Sequence, residues 1–209
     1  MSNIQLYFNP LSGHAHRPWA LLKLLDLEFE EIVLDFFTGE HKKPEFLKLN
    51  PLGQVPVLVD GDIILRDSTA ALVYLALKYD SSRQWLPADP AAAAEVQQWL
   101  AISTREVFEG PGNARKIKIF NAPLDHAVAV EKTDKLFNSL FEPRLSQHDW
   151  LVGNHPTIAD VSNYGYIAAV TEGDVDLSAY PNVSAWIERL EAYPSFTKMP
   201  PSAPYLPKK

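Results

Sequence analysis

Over residues 1–80 the apolar positions change period several times. Ile4–Phe8 (IQLYF) alternates apolar and polar side chains, the period of a half-buried strand. Asn9–Gly13 reads as a turn region. Apolar residues then recur at helical spacing from Trp19 through Leu25, with Pro18 suited to the first turn of that helix. Phe29–Leu34 predicts a second strand, and Glu40–Leu49 a short helix or loop stopped before Pro51. Val55–Val59 and Ile63–Leu65 flank Asp60-Gly61, a tight-turn pair, so they predict a hairpin. Asp67 and Ser68 then open a helix rich in alanine and leucine that runs to about Tyr79. The order β-α-β-α-β-β-α describes a compact α/β unit with a mixed sheet.

The pattern changes at Ser81–Pro90 (SSRQWLPADP), a polar, proline-bearing stretch suited to a linker. Beyond it the periodicity is helical, over about 91–120, 123–147, 158–170 and 182–192. Gly110-Pro111-Gly112 bends or breaks the first of these. Thr157-Ile158-Ala159-Asp160 reads as a capping-box variant, a structural device. The tail from Pro200 carries four prolines and cannot be regular helix. The expected organisation is an α/β domain over 1–80, a linker over 81–90 and an all-α domain over 91–209.

Composition narrows the chemistry. A formal charge of −7 disfavours a non-specific nucleic-acid binder, and the basic run Arg115–Lys118 reads as a solvated helix face. No apolar run reaches the ~18 residues of a membrane span. The first residues, MSNIQLYFNP, lack the basic start and long apolar stretch of a signal peptide, so the expectation is a soluble, cytoplasmic protein. Cysteine is absent, which excludes disulfides, zinc–thiolate sites and cysteine nucleophiles. A thiol taking part in the chemistry must arrive with a ligand.

Three segments carry candidate chemistry. In Asn50–Val59 (NPLGQVPVLV), Pro56 opens a strand; with a cis bond, Val55 would turn its backbone N–H and C=O outward to pair with an extended peptide. In Arg66-Asp67-Ser68, a helix N-terminus offers N–H groups and a positive dipole end to a carboxylate, Ser68 adds a hydroxyl, and Asp67 suits an ammonium group. The same two residues are also ordinary N-caps. In Pro10-Leu11-Ser12-Gly13, the Ser12 hydroxyl at a second helix start would stabilise a bound thiolate, or simply cap the helix. A free thiol of pKa about 8.5 is only a few per cent ionised at neutral pH; lowering it by roughly two units corresponds to about 2.7 kcal/mol.

Together these segments resemble the cytosolic glutathione transferase superfamily. LYFNPLSGHAHRPWALLKLL, GEHKKPEFLKLNPLGQVPVLVDGD and LRDSTAALVYLALKY stand in the family's order, and GEHKK resembles the serine-type phi class and its bacterial relatives, with theta-class likeness. In the C-terminal half, LVGNHPTIADVSNY and PNVSAWIERLEAYPSF resemble the family's capping segment and late helix. The resemblance implies a thioredoxin-like N-terminal domain with a mixed four-stranded sheet, followed by an all-helical domain carrying the electrophile site. It implies that glutathione is the co-substrate, with no metal. Its γ-glutamyl carboxylate would sit on Ser68 and its ammonium near Asp67. The cysteinyl part would pair with Val55 beside cis-Pro56, Gln54 would add a contact, and the glycyl carboxylate would meet His41 and Lys42.

Ser12 matches the residue that activates the thiol in serine-type members. Tyr7 is the alternative, since other classes use a tyrosine near the end of the first strand; backbone N–H groups and His14 are further candidates. Several departures stand out. Asp67 replaces the more frequent glutamate, and His14 and His16 occupy positions often held by small residues, where they serve either the turn and helix start or the second substrate. A His-x-His metal site lacks a third ligand. The absence of a cysteine after Ser12 departs from omega- and beta-type thiol transferases and from maleylacetoacetate isomerases. A serine hydrolase built on Ser12 and His14 would lack the G-x-S-x-G elbow. The expected partner is a small hydrophobic electrophile near His14, Phe36, Phe37, Arg105, Phe108 and Tyr164, and relatives of this kind are homodimers. Glutathione-dependent disulfide or peroxide reduction at the same site is the alternative activity, and a non-catalytic binding protein the alternative class.

Overall fold

The computed structural model describes residues 4–207. Its four strands, β1 (Ile4–Phe8), β2 (Glu30–Val33), β3 (Val57–Asp60) and β4 (Ile63–Leu65), form one sheet in the order β2-β1-β3-β4. β1 pairs parallel with β2 and antiparallel with β3, and β3 turns back on β4 through Gly61 and Asp62, one residue later than the Asp60-Gly61 pair read from the sequence. Alternation along β1 buries Ile4, Leu6 and Phe8, as its period requires. The parallel β1–β2 pair needs a crossover, which α1 (Gly13–Leu24) supplies. With α2 (Pro44–Leu49) and α3 (Ser68–Tyr79), this is the thioredoxin-like mixed sheet that the resemblance implied.

Several boundaries shift by a few residues from the sequence reading, and two of the shifts bear on the site. The third strand begins at Val57 rather than Val55, because Pro56 has no N–H to donate to a ladder. The first helix begins at Gly13, so Pro18 lies inside it rather than in its first turn. Ser12 starts the helix early by accepting a hydrogen bond from the Ala15 N–H at 3.2 Å.

After α3, residues 81–89 form neither helix nor strand, yet Trp85 is buried and its carbonyl accepts from the Ile158 N–H at 2.9 Å. The rest is helical: α4 (Pro90–Thr104), α5 (Asn113–Phe120), α6 (His126–Leu136), α7 (Glu142–Leu145), α8 (Ile158–Ala168) and α9 (Pro181–Glu191). A wide turn at Phe108–Gly112, holding Pro111, redirects the chain between α4 and α5. A second wide turn, Phe137–Phe141, joins α6 to α7. The capping box on α8 is present: Thr157 accepts from the Ala159 N–H, while the buried Asp160 accepts from the Thr157 and Leu151 N–H groups and the Trp186 indole. One apolar core runs from β1 and α1 through α3 into α4, α8 and α9. The two halves therefore share their burial, and the cavity described next opens along that shared seam.

Candidate active site

Two helix N-termini face one cavity of about 710 Å³. At the first, Ser12 caps α1 in extended conformation and lines the cavity. At the second, Asp67 caps α3: its Oδ1 accepts from the Thr69 and Ala70 N–H groups at 2.9 and 2.8 Å and from the Thr69 hydroxyl at 2.6 Å. Burial pushes the Asp67 carboxyl up, but these bonds and the charge of Arg17 together hold it below its usual value. Ser68, the next residue, is buried, and its Oγ accepts from Arg17 Nη1 at 2.9 Å. That leaves the Ser68 O–H to donate.

Along the same cavity lie Gln54, Val55 and Pro56, with Val55–Pro56 cis. His41 and Lys42 form its far end. Lys42 Nζ donates to the carbonyls of Gly53 and Leu52 at 2.9 and 3.2 Å, which fixes the ammonium and leaves it a further proton. A Cβ on Gly53, at φ +59°, would lie 2.8 Å from Lys42 Nζ and from the His41 carbonyl, so glycine seats this cation. The His41 ring packs on Phe36 at 5.0 Å; burial and the adjacent Lys42 charge lower its pKa.

The structure thus brings Ser12, His14, Phe36, His41, Lys42, Gln54, Val55, Pro56, Asp67, Ser68 and Phe108 onto one wall system. The two histidines separate. His14 faces the cavity between Phe108 and Tyr166, with ring centroids 5.0 and 5.1 Å away. Burial, helped by Arg17 and opposed by Asp67, pushes its pKa down to about 3, so it is a neutral imidazole. His16, two residues on and about 200° around the helix, is buried on the other side, with Nε2 2.7 Å from the Thr197 carbonyl.

Three expectations fail on placement. Arg105 does not line the cavity: its side chain is 76% exposed and reaches Glu106 and Glu109 at 4.0 and 3.9 Å. Thr104 lines the cavity, and one further residue rotates the chain by about 100°, away from it. Phe37 is exposed and packs toward Phe120 at 6.2 Å, beside a separate depression under the tail. Tyr164 is buried and donates to Glu191 Oε1 at 2.7 Å. Tyr7, the alternative to Ser12, packs its ring toward Phe46 at 6.0 Å and does not line the cavity.

Residues 2–77 match the family model described as glutathione S-transferase, N-terminal domain, and residues 121–194 the one described as glutathione S-transferase, C-terminal domain. Glutathione S-transferase 3 of Zea mays is 34% identical over 99% of this chain and 97% of its own length. The chain belongs to the glutathione S-transferase family. Glutathione S-transferase theta-2 of Mus musculus is 29% identical over 91% of this chain and 81% of its own. The solved glutathione S-transferase of Pseudomonas fluorescens has a TM-score of 0.87 at 30% identity, covering 94% of this chain and 98% of that one. A glutathione transferase homolog of Drosophila mojavensis, solved with bound glutathione, has a TM-score of 0.84 at 28% identity, covering 93% and 90%.

This transferase also carries site residues that the sequence reading missed. Arg17 is fully buried and donates to Ser68 Oγ, the Ser103 carbonyl at 2.6 Å and the Ser162 carbonyl at 2.9 Å. All three partners are uncharged. Burial lowers its pKa to about 10, with Tyr166 and Asp67 acting in the opposite direction, so it stays cationic at neutral pH. A positive charge therefore stands behind Ser68. Arg115, expected on a solvated face, is instead buried: it donates to the Leu11 carbonyl at 2.7 Å, one residue before Ser12, and pairs with Glu172 at 2.7 Å. Tyr166 and Lys116 complete the helical wall. An arginine amid apolar helix positions gives no sign of which neighbours it will cross-link. Glycines within helices at Gly112 and Gly165 did carry a signal, since such residues mark close approach.

Proposed function

We propose that the cavity binds glutathione along the Ser68–Val55–Lys42 wall and that its thiolate, held at Ser12, attacks a hydrophobic electrophile resting on the helical wall. The observation that carries this reading is the convergence of two helix N-termini on one cavity, because the peptide has two anionic groups to seat there, a carboxylate and a thiolate. The γ-glutamyl carboxylate accepts from the Ser68 O–H and the α3 N-terminus, with Arg17 behind it. The ammonium group meets Asp67, which caps α3 through Oδ1. The cysteinyl backbone pairs with Val55, Gln54 adds a contact, and His41 and Lys42 take the glycyl carboxylate. At Ser12 the dipole of α1 and the hydroxyl lower the thiol pKa. The thiol proton passes to solvent, the sulfur bonds to the electrophilic carbon, and any leaving group departs with the electron pair. His14, Phe36, Phe108 and Phe120 form the apolar surface for that second substrate.

The test is calorimetric titration with glutathione, wild type beside Ser12→Ala, followed by ultraviolet titration of the bound thiol. The reading expects both to bind and only wild type to lower the thiol pKa. Absence of wild-type binding at millimolar glutathione would sink it. The same reading takes the protein to be a cytoplasmic homodimer; among the described residues no helix is long and apolar enough to cross a membrane, and Leu52, Ile63 and Leu77 are exposed on the N-terminal half. Sedimentation equilibrium returning the monomer mass would remove the dimer.

A further inference from the structure

The helical wall of the cavity carries one stripe of side chains. Thr104, Phe108, Gly112, Lys116 and Phe120 all line the cavity, spaced four residues apart through the end of α4, the wide turn and α5. All but Lys116 are uncharged. Lys116 belongs to the basic run Arg115–Lys118, and its two cationic companions are already paired: Arg115 lies 2.7 Å from Glu172 and Lys118 lies 2.5 Å from Asp174. Glu109, the acid next to Phe108, is held by Lys132 at 2.6 Å. Among the described residues Lys116 has no ion-pair partner, and its ammonium stands 5.9 Å from the centre of the Phe108 ring. A Cβ on Gly112 would lie 3.1 Å from Phe108 Cδ2, so glycine leaves that ring free to lie along the wall toward Lys116. The cavity is electropositive although the chain carries a net charge of −7: Lys42, Arg66, Arg115 and Lys116 line it, against Asp67 as its carboxylate. His14, beside Phe108 at 5.0 Å, is neutral and adds no charge.

We infer that the second substrate is an aromatic electrophile bearing a carboxylate, its ring against Phe108 and His14 and its anion on the Lys116 ammonium. The inference rests on the glutathione reading of the cavity and names the substrate class of that site. Both carboxylates of glutathione are seated on the N-terminal half in that reading, at Ser68 and at Lys42, whose ammonium two carbonyls already fix. Lys116 stands on the opposite wall and is left to the electrophile. Phe108 gives the ammonium an apolar neighbour on one side, where an arriving anion is less screened than on open surface. The side chain is otherwise exposed, so the pair is modest in strength and sensitive to salt. A lysine offers a point charge on a flexible stem, which suits carboxylates at differing positions on a ring. For an aryl halide the thiolate at Ser12 forms the C–S bond, the C–halogen bond breaks, and halide leaves with its electron pair. The carboxylate takes no part in that exchange; it orients the ring.

The probes are a chloronitrobenzoate, with the nitro group ortho and the carboxylate para to chlorine, and the same molecule as its uncharged carboxamide. Each kcat/KM is divided by the uncatalysed rate with glutathione, which removes the difference in intrinsic reactivity. The two glutathione conjugates, made chemically, are also titrated into the protein by calorimetry, which answers the question without turnover. Wild type is expected to favour the carboxylate over the amide by roughly three- to tenfold in both measurements, less so at high salt. Lys116→Met is expected to bring that ratio to about one, Lys116→Arg to keep it and Lys116→Glu to reverse it, with thermal melts verifying each fold. Equal values for the two probes in wild type overturn the inference. A ratio unmoved in folded Lys116→Met overturns it too, since the anion would then sit elsewhere. If Lys116→Met weakens glutathione itself as strongly as the carboxylate conjugate, the lysine serves the glycyl carboxylate and the inference falls. These results leave the glutathione reading standing; failure of wild type to bind glutathione removes that reading, and this one with it.

Discussion

His16 illustrates how one side chain, placed by helical rotation, comes to govern pH stability. Burial pushes its pKa down to about 4, opposed by the hydrogen bond to the Thr197 carbonyl and assisted by the Arg17 charge. Between that value and the unfolded value near 6.5, the unfolded chain binds a proton that the folded chain refuses. Stability is therefore complete above about pH 6.5 and falls as pH drops toward 4, by up to about 1.4 kcal/mol per unit for this group. Urea denaturation at pH 7, 6 and 5 is expected to show a shallower decline in His16→Gln than in wild type. Equal slopes would mean that the ring is charged in the fold. Ser68 gives a second test at this scale. Removing a hydroxyl that faces a carboxylate costs about 1.5–3 kcal/mol, so Ser68→Ala is expected to raise KM for glutathione by roughly tenfold or more while changing kcat less. A normal KM would place the carboxylate elsewhere.

At the scale of elements, the start of α1 does most to build the site. Ser12 begins the helix five residues before Pro18 and so aims the dipole at the cavity. Glycine at the next position lets α8 approach. Gly13→Ala puts a methyl group 2.8 Å from the Tyr166 ring, and overpacking of this kind costs about 1–3 kcal/mol. The expected result is a lower urea midpoint with an unchanged m-value, together with loss of thiol activation; unaltered stability would show that the slot is slack. α8 has its own cap, and Thr157→Ala is expected to lose about 1 kcal/mol in the same measurement. The strand and helix order, the hairpin and the capping box were all legible from local pattern. The onset of α1 was legible only as two options, because a Pro in the first turn and a Ser at N-cap are both sound start signals, and the structure takes the Ser12 cap.

Across the whole molecule, Arg115 ties the turn before Ser12 to the tail. It holds the Leu11 carbonyl and the Ser202 hydroxyl, while Glu172 accepts from the Ser202 N–H at 2.7 Å and from Arg115 itself. Arg115→Met takes the guanidinium from the Leu11 carbonyl and leaves the Glu172 carboxylate without its cation, while Ser202 and Glu172 keep their bonds to each other. It is expected to destabilise by about 2–4 kcal/mol and to hasten proteolysis after Ala192, with tail cleavage followed by mass spectrometry. An uncut tail would show that the apolar contacts of Phe196 and Met199 hold it alone.

The chain by itself determined the succession of elements, the polar and apolar face of each, and the three segments that line the cavity, because caps, turns and periodicity act over a few residues. The cavity's contents required the tertiary structure. Whether Arg17 reaches Ser68, or Arg115 reaches Leu11, depends on partners 51 and 104 residues away, and nothing local encodes that separation. The same holds for Tyr166 beside Ser12 and for Arg105 turning outward, since a rotation of about 100° per residue decides which side chain faces the seam. Local chemistry proposed the residues, and the packing of one half on the other selected among them.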